Sequence, residues 1–239
     1  MSEVTSTPEA EAHDHSHADV SGGWLRAAVF GAMDGLVSNI ALIAGVGGGG
    51  VAARTVLLTG AAGLISGAIS MALGEYTSVR TQNEQVGAEV AREKQELERH
   101  PEAEAAELVQ RWVARGLPPR LAEDVVAAIS RDPGETLRVH VQEELGVSLE
   151  EQPSPWVAAG SSFACFAVGA LVPLLPYLLG SSVLWPALVS GGVGLFAAGA
   201  LVARFTGRAW WTSGLRQLIL GGLAAAVTYG IGSLIGSAV

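Results

Sequence analysis

The chain has 239 residues, 49% of them apolar, and carries 14 basic against 23 acidic residues for a net charge of −9. Neither the acidic balance nor the pattern suits nucleic acid, because no basic stripe with interleaved aromatics exists. The single cysteine, Cys165, excludes a disulfide within the chain and argues against a thiolate metal site. Cys165 reads as a small packing residue.

Mean hydropathy is only +0.38 because the charges are segregated. Residues 1–23 read as a polar, disordered tail in which His13, His15 and His17 alternate. Such a tract either binds a metal weakly or has no function. The tail lacks the basic start of a cleaved signal peptide. Beyond it, residues 27–53 hold one charge, Asp34, and residues 55–79 hold one, Glu75. Residues 156–203 and 217–239 hold none. A spanning helix needs about 20 apolar residues. Five spans are therefore expected, near 27–47, 56–79, 157–179, 183–203 and 216–237. Gly180-Ser181-Ser182 divides the third from the fourth, and Pro173 and Pro176 should kink the third. The GxxxG spacings Gly31/Gly35, Gly63/Gly67 and Gly232/Gly236 permit close helix approach. Among 31 glycines, chance alone produces such spacings.

Between the second and third spans lies a polar insert, residues 80–155, with 16 of the 23 acids and nine of the 14 basic residues. Nothing from Thr55 to Leu97 stops a helix. Gly87 is the weakest point, at about 1 kcal/mol relative to alanine. The second span should thus leave the membrane as one long helix that ends at His100-Pro101. Pro101 suits the first position of the next helix, which ends near Gly116. Pro118-Pro119 opens another, and Asp132-Pro133 supplies an N-cap and first residue for a last one reaching Gly146. The linker 150–155 returns the chain to the membrane.

Lys and Arg mark cytoplasmic flanks of spanning helices. Arg26, Arg80, Arg92, Lys94, Arg204, Arg208 and Arg216 fall on one face and Arg54 alone on the other. The N-terminus and insert are expected in the cytoplasm and the C-terminus outside. Trp24, Trp156, Trp210 and Trp211 then lie at the cytoplasmic interface, and Trp185 at the opposite one.

A carboxylate in hydrocarbon costs about 2.5–3.5 kcal/mol on insertion scales. Asp34 and Glu75 should therefore face a bundle interior and handle an ion or a proton. Met71 stands four residues before Glu75 and shares its helix face. In the insert, Glu93/Glu96 and Glu104/Glu107 are pairs at i,i+3, and His140/Glu144 a pair at i,i+4. Antiparallel packing across Pro101 brings the two glutamate pairs together. Carboxylates with an imidazole suit Mn²⁺, Fe²⁺ or Ca²⁺. Glutamates also form ordinary solvated helix faces, and both readings stand. Carboxylates bind cations only when ionised, so binding should weaken as pH falls through about 4–5. No nucleophile–base arrangement and no phosphate loop is present, so an enzyme is not expected. The competing function is a membrane-anchored metal sensor or buffer without transport, although an anchor has no use for Asp34 and Glu75.

The strings RAAVFGAMDGLVS (26–38) and SGAISMALGEYTS (66–78), ahead of an acidic insert and three more spans, resemble the vacuolar iron transporter family, as a bacterial-type member. The likeness covers roughly residues 24–239. It implies an all-α membrane protein with two spans in 24–79, a cytoplasmic metal-binding insert in 80–155 and three spans in 156–239. It implies a homodimer in lipid that moves Fe²⁺, and also Mn²⁺, from the cytosol in exchange for protons. The membrane would be a bacterial plasma membrane, or a vacuolar-type one in a eukaryote. By resemblance, Asp34, Met71 and Glu75 line the path. Glu93, Glu96, Glu104, Glu107 and Glu144 match the insert's metal-binding glutamates. His140 stands where the family has methionine.

Overall fold

A computed structural model describes residues 23–149 and 152–238; His13, His15 and His17 lie outside the described residues. Segregated charge becomes segregated structure. The described residues form eight helices and no strand. In chain order these are α1 (Gly23–Gly48), α2 (Ala53–Arg99), α3 (Pro101–Ala114), α4 (Pro119–Ile129), α5 (Pro133–Glu144), α6 (Pro155–Leu178), α7 (Trp185–Thr206) and α8 (Trp210–Ala238). Five of them, α1, α2, α6, α7 and α8, are long and apolar enough to cross a membrane.

α2 is one unbroken helix of 47 residues. At about 1.5 Å per residue it is roughly 70 Å long, against a hydrocarbon core of about 30 Å. Gly87 does not interrupt it. α2 stops where expected: His100 is its C-cap, and Pro101 opens α3. Pro119, Pro133 and Pro155 likewise sit in the first turns of α4, α5 and α6. Proline has no N–H to leave unsatisfied there and its φ already suits the helix. Asp132 caps α5, its Oδ1 accepting from Gly134 N at 2.8 Å and Glu135 N at 3.3 Å.

The membrane-length helices pack through small residues. A Cβ on Gly35 would strike the Phe166 carbonyl, and one on Gly232 the Gly45 carbonyl. α1 therefore lies backbone to backbone against α6 on one side and α8 on the other. The spacings Gly31/Gly35 and Gly232/Gly236, weak as statistics, mark these seams, whereas Gly63 and Gly67 meet the side chains of Leu42 and Phe166. Between them, Leu36, Ile40, Ala44, Leu195 and Ala225 form one core, and Ile43, Val56, Leu174, Tyr177 and Ala187 a second.

α6 runs as one helix through Pro173 and Pro176. Pro176 has no N–H for the Val172 carbonyl four residues back. Ser190 of α7 donates its hydroxyl to that carbonyl at 3.3 Å. A freed backbone acceptor inside a helix bundle is thus satisfied by a neighbouring helix.

The end of α2 carries the insert. α3 and α5 pack on it, and α4 packs on α3. Leu108, Ala122, Val126 and Val141 are buried in this small assembly, and so is His140 at 1% exposure. At the junction with the long helices, Tyr76 and Trp156 meet with ring centroids 4.7 Å apart. Asn83 of α2 donates to the Pro153 carbonyl at 3.0 Å, fixing the return linker against the long helix.

Candidate functional site

Asp34 of α1 and Met71 and Glu75 of α2 line one cavity of about 350 Å³. The cavity exists because α2 turns glycines toward it. Gly63, Gly67 and Gly74 all line it and leave room where larger side chains would close it. Ser38 and Ser70 add hydroxyls to the wall. Ser38 donates to Asp34 Oδ1 at 2.9 Å, one turn along α1, which holds that carboxylate in place. Glu75 is 7% exposed. Its Oε2 accepts a hydrogen bond from Arg26 Nη2 at 3.0 Å. Two carboxylates, two hydroxyls and a thioether around one void can strip and replace part of the water shell of a divalent cation.

The second cluster lies in the insert. Glu93 of α2, Glu104 of α3, and His140 and Glu144 of α5 each present a donor atom, all within 4.8 Å of one another. His140 Nδ1 is the hub. It lies 3.2 Å from Glu93 Oε1, 3.6 Å from Glu144 Oε1 and 3.8 Å from Glu104 Oε2. Donors about 2.1 Å from a common ion sit roughly 3–3.4 Å apart, so a modest contraction would close this set on one cation. Glu93 Oε1, Glu144 Oε1 and His140 Nδ1 are all buried and make no hydrogen bond. Buried polar atoms are nearly always satisfied, and a cation held among these three would satisfy them together.

Crowded carboxylates resist ionising together. Glu93 is pushed up from 4.5 to about 7, first by burial and then by the charges of Glu144, Glu104 and Glu107, with Arg111 pulling the other way. Glu104 is also raised, by burial and then by Glu144 and Glu107, while His140 opposes the rise. A cation entering the pocket therefore competes with a proton on Glu93.

Of the residues singled out in the insert, Glu96 and Glu107 do not enter the four-donor set. Glu96 Oε2 lies 3.9 Å from His100 Nε2. Glu107 Oε1 accepts from Arg111 Nη2 at 2.8 Å. Sequence reasoning overlooked Arg111, which also stands 3.6 Å from Glu144 Oε1 and donates to the Glu143 carbonyl at 3.3 Å. Its spacing of four residues after Glu107 was the available signal. It also missed the partner of Glu75, since Arg26 lies 49 residues away.

A family model described as the VIT family matches residues 25–233. The chain is 35% identical over 233 residues to vacuolar iron transporter 1 of Oryza sativa subsp. japonica, covering 93% of this chain and 91% of that protein. It is 34% identical to a vacuolar iron transporter of Acanthamoeba castellanii, covering 95% and 84% respectively. Vacuolar iron transporter 1 of Arabidopsis thaliana is 31% identical, covering 91% and 88%.

Proposed function

The chain belongs to the VIT family, and on that premise we propose that it carries a divalent transition metal, Fe²⁺ first and Mn²⁺ second, out of the cytosol in exchange for protons. The relatives named above are transporters, and no enzymatic reaction is assigned. The observation that carries the reading is the convergence of Asp34, Met71 and Glu75 on one cavity among the membrane-length helices. Two carboxylates balance the charge of one divalent ion. At least one of the two can take a proton when the ion leaves, so one site serves both legs of an exchange. The Met71 thioether favours Fe²⁺ or Mn²⁺ over Mg²⁺, because hard Mg²⁺ gains little from sulfur.

In this reading the insert, residues 80–155, is cytoplasmic and collects the metal. Glu93, Glu104, His140 and Glu144 hold it, and Glu96 and Glu107 add negative potential that draws cations in. Glu93 and Glu75 sit on the same helix, about 27 Å apart at 1.5 Å per residue. The N-terminus shares the cytoplasmic side and the C-terminus lies outside. α2 leaves Leu58, Ile65, Ile69 and Leu73 exposed. A second copy of the chain covers that apolar surface in a homodimer, and lipid covers the remainder.

The test is uptake of Fe²⁺, Mn²⁺ and Mg²⁺ into proteoliposomes that contain a pH-sensitive dye. Fe²⁺ and Mn²⁺ should move and shift the internal pH, and Mg²⁺ should move poorly. Metal bound tightly by the protein with no flux would leave only a buffer.

A further inference from the structure

Glu75 does not face its cavity alone. Arg26 Nη2 lies 3.0 Å from Glu75 Oε2, and the two side chains are 66% and 8% exposed. The anion is therefore set into the protein while the cation lies on a long stem at the protein surface. Arg26 is not among the cavity's lining residues. Its neighbour Ala27 is buried against Val79 and Ala158, one turn of α2 beyond Glu75 toward the insert. Arg26 therefore reaches Glu75 from the side on which the insert lies.

We infer that Arg26 is a tethered cation that occupies Glu75 in the metal-free protein and thereby selects which ions can replace it. The inference rests on the reading that Glu75 lines a metal path. A guanidinium stays charged at every accessible pH, so it cannot vacate Glu75 by losing a proton. It must be outcompeted. A monovalent ion brings no more charge than Arg26 and must shed water to bind, so that exchange gains nothing. A divalent ion doubles the charge at a largely buried carboxylate, where screening is weak. It also gains Asp34 and Met71 as further ligands in the same cavity. Arg26, once displaced, is already at the protein surface on the side of the insert and gives up few other protein contacts. The pair thus sets a threshold that Na⁺ and K⁺ fail to cross, at the cost of a higher metal concentration for half-maximal transport.

A merely structural ion pair between α1 and α2 would affect yield and thermal stability, not ion selectivity. Mn²⁺ uptake by the full-length protein in proteoliposomes separates the two. Arg26→Gln removes the competitor, so KM for Mn²⁺ should fall about threefold or more. K⁺ at about 0.1 M, harmless to the wild type, should now inhibit that variant. Arg26→Lys keeps the charge without the fork, so its KM should fall only about twofold, with no inhibition by K⁺. An unchanged or raised KM in Arg26→Gln, with continued indifference to K⁺, would overturn the inference. If Arg26→Gln does not fold, Arg26→Lys decides alone, and a KM at or above the wild-type value overturns it. Wild-type protein that moves no Mn²⁺ or Fe²⁺ would overturn the transport reading itself, and the inference with it. Wild-type flux with unaltered variants would overturn only the role of Arg26.

Discussion

His140 Nδ1 lies 3.2 Å from Glu93 Oε1, yet neither atom makes a hydrogen bond. The pair joins α5 to the far end of α2, the helix that also carries Met71 and Glu75. A cation placed between them would satisfy both atoms and fix the insert onto the long helix. The first prediction follows from that geometry.

Glu93→Gln should weaken Mn²⁺ binding to the insert about tenfold or more, since it removes a charged ligand from a buried set. Glu96→Gln should cost far less, because Glu96 lies outside the set and contributes only potential. Calorimetric titration of the full-length protein in detergent compares them. Equal losses in the two variants would show that the four-donor geometry does not define the site.

The second prediction concerns pH. Glu93 is raised from 4.5 to about 7 by burial and by neighbouring carboxylates. Metal must then expel a proton near neutrality, and affinity should fall as pH drops through about 7, above the 4–5 range of free carboxylates. For stability the sign is opposite. The folded protein holds the extra proton, so Glu93's contribution is greatest below about 4.5 and is lost as pH rises through about 7. Bound metal should abolish that loss. Titrations in buffers of different ionisation enthalpy read the proton release directly. Equal Mn²⁺ affinity at about pH 5.5 and about pH 7.5 would contradict the assignment.

A third prediction tests the small-residue seams. Gly35→Ala sets a methyl group against the Phe166 carbonyl and 2.9 Å from Ala170 N. It should destabilise the protein by about 1–3 kcal/mol, seen as a lower unfolding temperature in detergent. Gly87→Ala meets nothing within 4 Å and should instead stabilise α2. The gain expected from helix propensity is about 0.5–1 kcal/mol. Similar effects of the two changes would mean that the α1–α6 contact is looser than described.

Much of this was legible in the sequence, for identifiable reasons. The five membrane-length helices follow from where charges are missing. The insert's helices follow from Pro101, Pro119 and Pro133, each placed where proline starts a helix. The glutamate pairs showed which faces would meet, but not which member of each pair. Three residues turn a helix by about 300°, so the members of a pair diverge by roughly 60° and only one reaches the meeting point. Glu93 and Glu104 reach it, while Glu96 turns to His100 and Glu107 to Arg111. The Arg26–Glu75 pair spans 49 residues and two helices, and no local pattern announces a contact of that range.

The fourth prediction concerns orientation. Cysteines are best placed at Gln152 and Ser182, which are exposed, because Ser154 caps α6 and Ser181 bonds to Val183. In intact cells an impermeant thiol reagent should leave the Gln152→Cys variant unlabelled and react with Ser182→Cys. The reverse pattern would place the insert outside.

The central claim is that Asp34 and Glu75 are both required for ion passage and that at least one of them exchanges protons. Asp34→Asn and Glu75→Gln keep side-chain size and remove the charge. Proton flux driven by an Fe²⁺ or Mn²⁺ gradient should be present in proteoliposomes of the wild type. It should vanish in each variant, while both variants elute from size exclusion as the wild type does. Full metal-driven proton flux in both variants would contradict the account.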